Sequence, residues 1–291
     1  MKLTAEAFAR AEQYLLLNAR LLDRLRFEAL FHGAAREPVL HVLRAYQNPD
    51  GGFGNAIEPD LRGTASQPEG VEMAFRVLDE LGAFDDPMVV SACDHLETIT
   101  TKEGGVPFAL PSVRDMPRAP WWQSDDDPPA HLIPTASIAG LLHQHGVEHP
   151  WLGPATDFCW DAIARITTET TPYEARALFT FLERVSDRDR AAAEFARIRP
   201  AILGTVTLDP SAEGPVHFPL DFAPAPSPLP LFTDEILDRH LDALIEDQPE
   251  DGGWKPNFLS WTPVVAHEWG GHLTLGALRT LQAYGRLAAA S

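Results

Sequence analysis

Cysteine is nearly absent. The chain holds two, Cys93 and Cys159, far apart and in no Cys-x-x-Cys pair. That excludes a disulfide-stapled scaffold and a thiol redox motif as organising features. Long apolar runs are missing too, and none approaches the roughly 18 residues that a membrane-spanning helix needs. The opening MKLTAEAFARAEQ has no basic-then-apolar leader, so a reduced, cytoplasmic protein is expected. Basic residues are few, 23 against 42 acidic ones, giving a formal charge of −19. A phosphate backbone or an anionic lipid surface would be repelled, so nucleic acid is not expected as a partner. Alternating strand patterns are almost lacking.

What is there is helical periodicity. In PEGVEMAFRVLDELG, Val71, Ala74, Leu78 and Leu81 recur at steps of three and four, and Gly82 closes the segment. In TLGALRTLQAYGRL, Thr274, Ala277, Leu278, Leu281 and Tyr284 make one stripe. Similar stretches cover 4–17, 19–34, 37–47, 86–99, 134–145, 154–166, 173–185, 187–198 and 234–247. The expected fold class is all-α. Three turns punctuate it: QNPDGGFG (47–54), KEGGVPF (102–108) and QPEDGGW (248–254). Each follows an amphipathic helix, sets an acid beside Gly-Gly and ends on an aromatic. The first two Gly-Gly pairs lie 53 residues apart and the third 148 further on. That interval has room for about three more units of helical-array length. Two Pro-rich stretches, about 107–135 and 209–232, cannot be helical throughout. Both are apolar enough to be structured loops of one domain spanning 1–291.

A Gly-Gly turn flanked by Gln and an aromatic, between paired helices, resembles the repeat of the terpenoid cyclase and protein prenyltransferase β-subunit superfamily. QNPDGGFG and QPEDGGW look like its Q-x-x-D-G-G-[FW] signature. The resemblance covers about two thirds of the chain. It implies an (α/α) toroid, with inner helices around an apolar cavity and the Gly-Gly turns together at one end. It also implies that Gln47 bonds helix-end backbone groups, that Asp50 stabilises its turn, and that a hydrophobic small molecule is the substrate.

The family's chemical motifs are not matched. Where protonation-initiated cyclases carry D-x-D-D, the nearest run here, QSDDDPP, has Ser124 in place of the first Asp. Where ionisation-initiated cyclases carry D-D-x-x-D, the run FDDPMVV offers Asp85 and Asp86 with no third acid, and reads as a helix cap. The prenyltransferase zinc set is Asp-x-Cys plus a distant His. Asp157 and Cys159, with His267 or His272, sit where the pattern makes an outer helix, so the ligands would face away from the cavity. No metal and no cofactor are expected, with Mg²⁺ left open for a diphosphate substrate.

Two groups of residues remain as candidates. Glu58, Asp60 and Arg62 follow the first Gly-Gly turn and lead into an inner helix. Two nearby carboxyls push their pKa values apart, which suits acid and base roles, and an arginine can keep one ionised. The plainer alternative is a surface Asp60–Arg62 pair with Glu58 solvated. The second group is WKPNFLSWTPVVAHEWGGHLTLG, where Trp254, Trp261 and Trp269 surround His267, Glu268 and His272, just before the last inner helix. Its plainer alternative is Glu268 capping that helix and a tryptophan core. Glu58, Asp60, Arg62 and Glu268 are the catalytic candidates, with the first three expected opposite the Trp261–Glu268 segment. Phe53, Trp121, Trp122, Trp254, Trp261, Trp269 and His272 are the substrate-binding ones. Aromatic walls with few charges suit isoprenoid cations or sugar rings. Three readings follow: acid-initiated cyclisation of a polyprenyl-type substrate, a carbohydrate-active enzyme with Glu58 or Asp60 paired to Glu268, or a non-catalytic binder of hydrophobic ligands.

Overall fold

A computed structural model of the chain describes residues 1–288; the last three residues of the expected 1–291 span lie outside the described residues. In chain order the helices are α1 (Ala5–Asn18), α2 (Leu21–Phe31), α3 (Glu37–Arg44), α4 (Pro68–Glu80), α5 (Met88–Thr98) and α6 (Leu132–Gln144). They continue as α7 (Leu152–Arg165), α8 (Pro172–Arg184), α9 (Arg188–Leu203), the single turn α10 (Pro219–Phe222), α11 (Asp234–Glu246) and α12 (Pro263–Ala283). Among the described residues β-structure is limited to isolated bridges. The first Pro-rich stretch contains a 3₁₀ turn, Pro111–Asp115, and ends earlier than expected because α6 begins at Leu132.

Proline starts helices here rather than breaking them. Pro68, Pro172 and Pro263 open α4, α8 and α12. At the first helical position the missing N–H would have had no intrahelical partner. Thr171 completes a capping box with Glu174, each side chain accepting the other's backbone N–H.

The chain divides into two compact units. One comprises residues 35–204 and the other 1–34 with 205–291. In the first, α4, α6 and α8 form a row, with α6 in the middle, and α5, α7 and α9 flank it. Helix α6 is buried almost all round, from Pro134 to Leu142, so it has no polar face to offer solvent. In the second unit, α12 packs on α1 and α2. Leu15, Phe27, Trp254, Leu275, Leu278 and Leu281 contribute to its core. Leu3 pairs with Leu287, tying the start of the chain to the residues after α12.

The three Gly-Gly turns share one construction. Gly51, Gly104 and Gly252 have φ of 85°, 92° and 87°. Each donates its N–H to the carbonyl three residues earlier. A Cβ on Gly51 would lie 2.1 Å from the Ser91 carbonyl oxygen of α5; Gly104 meets Pro154 of α7 and Gly252 meets Arg10 of α1 in the same way. The second glycine lies against a ring four residues further along that helix: Gly52 on His95, Gly105 on Phe158, Gly253 on Tyr14. Gln47 Nε2 donates to the Gly51 and Met88 carbonyls, and Gln248 Nε2 to those of Gly252 and Ala7. At the middle turn Thr100 takes the glutamine's place and accepts from the Trp151 indole N–H at 2.8 Å. Asp50 and Asp251 accept the N–H of the second glycine. The first helix of the chain therefore serves the last turn as α5 and α7 serve the others.

Candidate active site

The segment after the first turn is built to bury acids. Asn55 and Ala56 both adopt left-handed backbone, with φ of 57° and 63°. Such residues cost on the order of 1–3 kcal/mol each and persist only where surroundings enforce them. Here Asn55 Nδ2 bonds Asn48 Oδ1 at 3.2 Å, and Asn48 Nδ2 bonds the Thr64 carbonyl at 2.8 Å. The reversal turns Ile57 to Leu61 inward, and the whole run is buried. Glu58 is 5% exposed and Asp60 2%, which overturns the plainer alternative of a surface Asp60 with Glu58 solvated. Glu58 borders a void of about 10 Å³, room for roughly one water. Phe53 is fully buried beside it.

The Pro-rich loop clamps this segment. Arg62 N–H donates to the Pro117 carbonyl at 2.9 Å, and Ala119 N–H to that of Asp60 at 3.0 Å. Arg118 Nε bonds the Trp122 carbonyl at 2.7 Å. Trp122 is buried and stacks on Phe108 with centroids 4.5 Å apart, while Trp121 is exposed. The Trp122 indole N–H is shielded from solvent and has no hydrogen-bond partner among the described residues.

Sequence reasoning missed the residues that complete the group. Glu69, Glu72 and Arg76 occupy positions i, i+3 and i+7 of α4, one face of the helix. The start of α4 is anchored by Gln67, whose side chain bonds Ser112 Oγ and the Leu110 N–H, both at 2.8 Å. Arg76 Nε donates to Glu72 Oε1 at 3.0 Å, and Nη2 reaches the same oxygen. Glu72 is 1% exposed. Glu69 Oε2 is shut from solvent and has no partner among the described residues. Burial, first, and then the Glu72 carboxylate push the Glu69 carboxyl well above the usual range; Arg76 opposes this, and Glu58 adds to it. The positive end of α4 favours the anion at Glu69, but by only about 0.3–1 kcal/mol. Burial can move a carboxyl by several pKa units, so it prevails. Glu69, itself half-buried, therefore keeps its proton to a higher pH than an ordinary glutamate. The signal was present as acid, acid and arginine at spacings of three and four. It reads as a solvated face unless the helix is known to be buried on both sides.

The other candidates lie on the second unit. Trp254 is core, its Nε1 donating to the Leu244 carbonyl at 2.9 Å. The expectation that His267, Glu268 and Trp269 precede the last helix is corrected, and so is the plainer alternative of Glu268 as its cap. Pro263 starts α12, Thr262 caps it, and all three lie within its first two turns. Trp261 is half-buried just before that cap. Trp269 stands edge-on to Phe258 at 5.7 Å and to His272 at 5.6 Å. Asp23 of α2 is fully buried beside His272; burial pushes its pKa up, but Arg20 and Arg26 outweigh this and hold it low.

Cys159 is fully buried in α7, and burial pushes its thiol strongly up, away from the thiolate that zinc requires. Asp86 accepts from the Met88 N–H at 3.0 Å at the start of α5, a capping role. Among the described residues Glu12, Glu28 and His32 bring ligand-type atoms within 4.8 Å of one another on α1 and α2.

No known protein family matches the sequence, and none of the curated proteins does. Solved structures match over nearly the whole chain. A protein from Actinoplanes aligns with a TM-score of 0.65 at 17% identity, covering 97% of this chain and 99% of that one. The type II terpene cyclase MstE from Scytonema aligns at 0.61 and 14% identity, covering 97% and 99%. A variant of MstE in complex with geranylgeranyl dihydroxybenzoate, its substrate, gives 0.61 and 14%, covering 97% and 98%. At such identities the likeness is one of fold. The protein is all-α and has the (α/α) toroid fold of terpene cyclases, as its Gly-Gly repeats led us to expect.

Proposed function

We propose that the protein is an isoprenoid-processing enzyme that starts the cyclisation of a polyprenyl-type substrate by proton transfer from Glu69. The observation that carries this reading is the Glu69 carboxyl, pushed up by burial and by the Glu72 charge, with Oε2 shielded and without a hydrogen-bond partner among the described residues. An acid in that state lacks only an acceptor. Its proton passes to the terminal alkene carbon, or to an epoxide oxygen, of a bound chain. The neighbouring double bonds then close rings, and the final cation loses a proton. Glu58 and Glu72 place negative charge beside the positive charge that develops, where low dielectric makes it count. The Phe108–Trp122 stack offers an apolar wall with a free indole N–H. No cofactor is required by this chemistry. The fold is that of a cyclase whose substrate is a prenylated aromatic acid, and the missing D-x-D-D is met by a different acid at the start of an inner helix.

The test is incubation with geranylgeranyl dihydroxybenzoate and with linear polyprenyl alkenes and epoxides in D₂O. A cyclised isomer carrying one non-exchangeable deuterium is expected from at least one of them. Glu69→Gln is expected to abolish it. Binding of these compounds without turnover would instead support the hydrophobic-ligand binder, and release of a sugar from aryl glycosides the carbohydrate reading.

A further inference from the structure

The acid group is asymmetric. Glu69 and Glu72 lie one turn apart on α4, and the Glu72 carboxylate pushes the Glu69 carboxyl up. Two carboxyls in that relationship titrate as a pair, and a neighbour must decide which keeps the proton. Arg76 touches one of them. Its Nε and Nη2 both address Glu72 Oε1, while Glu69 Oε2 has no partner among the described residues. A guanidinium beside a buried carboxylate favours its charged form by about one to three pKa units, and it favours a more distant one less.

We infer that Arg76 is a positioning residue that holds Glu72 as the carboxylate and so leaves the proton on Glu69. This rests on the reading of Glu69 as the acid. Other charged groups lie around Glu69 and Arg76. Glu58 comes from the preceding segment and Glu80 from the end of α4, and Arg184 of α8 acts on Arg76. The stretch of α6 from Thr135 to Leu142 carries no charge. Helix α5 turns Asp94 and Glu97 to solvent and lays His95 on Gly52.

The experiment is a pH titration of the full-length protein labelled with ¹³C at the glutamate carboxyls, with Glu69→Gln assigning the buried signal. In the wild type that signal is expected to report a single protonated carboxyl belonging to Glu69. Arg76→Gln is expected to move its midpoint upward by about one pH unit or more, because a cation has been removed. Glu72→Gln is expected to move it downward, because an anion has been removed. Arg76→Lys, which restores charge without the paired contact, falls between wild type and Arg76→Gln. If a substrate is turned over, Arg76→Gln lowers kcat with little change in KM, and the basic limb of the pH profile follows the carboxyl midpoint. A signal lost in Glu72→Gln rather than Glu69→Gln would overturn the inference, as would a midpoint indifferent to Arg76→Gln. Circular dichroism of each variant separates misfolding from either result. The titration needs no substrate, so it stands apart from whether cyclisation is ever observed.

Discussion

Glu69 and Glu72 stand one turn apart on the same face of α4, and the Glu72 carboxylate, not that of Glu69, takes both contacts from Arg76. That relationship sets a half-buried acid beside a buried carboxylate on one helix.

Glu69→Gln is the sharpest functional test. Glutamine keeps the volume and polarity of a protonated glutamate but cannot donate a proton to carbon or to an epoxide. Turnover is expected to fall by at least the two to four orders of magnitude typical of a lost general acid. Stability is expected to change by about 1 kcal/mol or less, since no ionised partner is stranded. Product analysis alongside a urea melt separates the two. Equal turnover in wild type and Glu69→Gln would remove Glu69 from the mechanism.

The pH dependence of stability has a defined sign. Glu69 has a folded pKa above its unfolded value, the reverse of a salt-bridged carboxylate. Between those two values the native state binds more protons than the unfolded chain. Stability therefore declines as pH rises through that window, by at most about 1.4 kcal/mol per pH unit. It levels off above the folded pKa. In Glu69→Gln this component of the decline is expected to vanish, which denaturant melts from pH 4 to pH 9 would show (a range of roughly the ordinary carboxyl to amine titrations).

Gly51→Ala tests the turn. Its φ of 85° and the 2.1 Å approach to the Ser91 carbonyl oxygen leave no room for a methyl group. The backbone conformation alone is expected to cost about 1–3 kcal/mol, and the steric clash adds to it. Gly82→Ala, at a φ of 58° but in open space, is expected to lose less. Equal losses in the two would show that close approach to α5 is not what the turn requires.

Two tryptophans should respond differently to loss of the indole N–H. Trp254→Phe breaks the bond to the Leu244 carbonyl and is expected to cost about 1 kcal/mol or more. Trp122→Phe removes an N–H with no partner in the protein, so it costs less stability. If that N–H meets substrate, Trp122→Phe raises KM instead. Thermal melts and substrate titration read the two effects separately.

Neither cysteine is expected to react or to bind zinc in the folded protein. Burial pushes Cys93 up to about 12 and Cys159 further still, so thiolate is scarce at neutral pH. A thiol reagent should label both only after unfolding. Stoichiometric zinc lost on Cys159→Ala would contradict the expectation.

What the sequence determined by itself was the repeat. Helical periodicity, the proline starts and Q-x-x-D-G-G-[FW] are local signals, and the forces behind them act within a few residues. They placed α1 to α8 and α11 near their ends, left the end of α9 short of Leu203, and assigned Gln47 and Asp50 to the turn. The start of α12 was missed: the residues before Thr274 are helical from Pro263, and Gly270 and Gly271 there lie close against Tyr14 and Ala19. Burial of charge was decided only by the tertiary structure. Glu58 and Asp60 turn inward because Asn55 and Ala56 reverse the chain and residues 117–119 close over it. Glu72 is buried because α4 packs on both α5 and α6, while Glu69 is half-buried and Arg76 reaches Glu72 from the exposed side. A carboxyl's proton affinity depends on how much water and which charges surround it, and those come from residues distant in the chain. No window of sequence contains them.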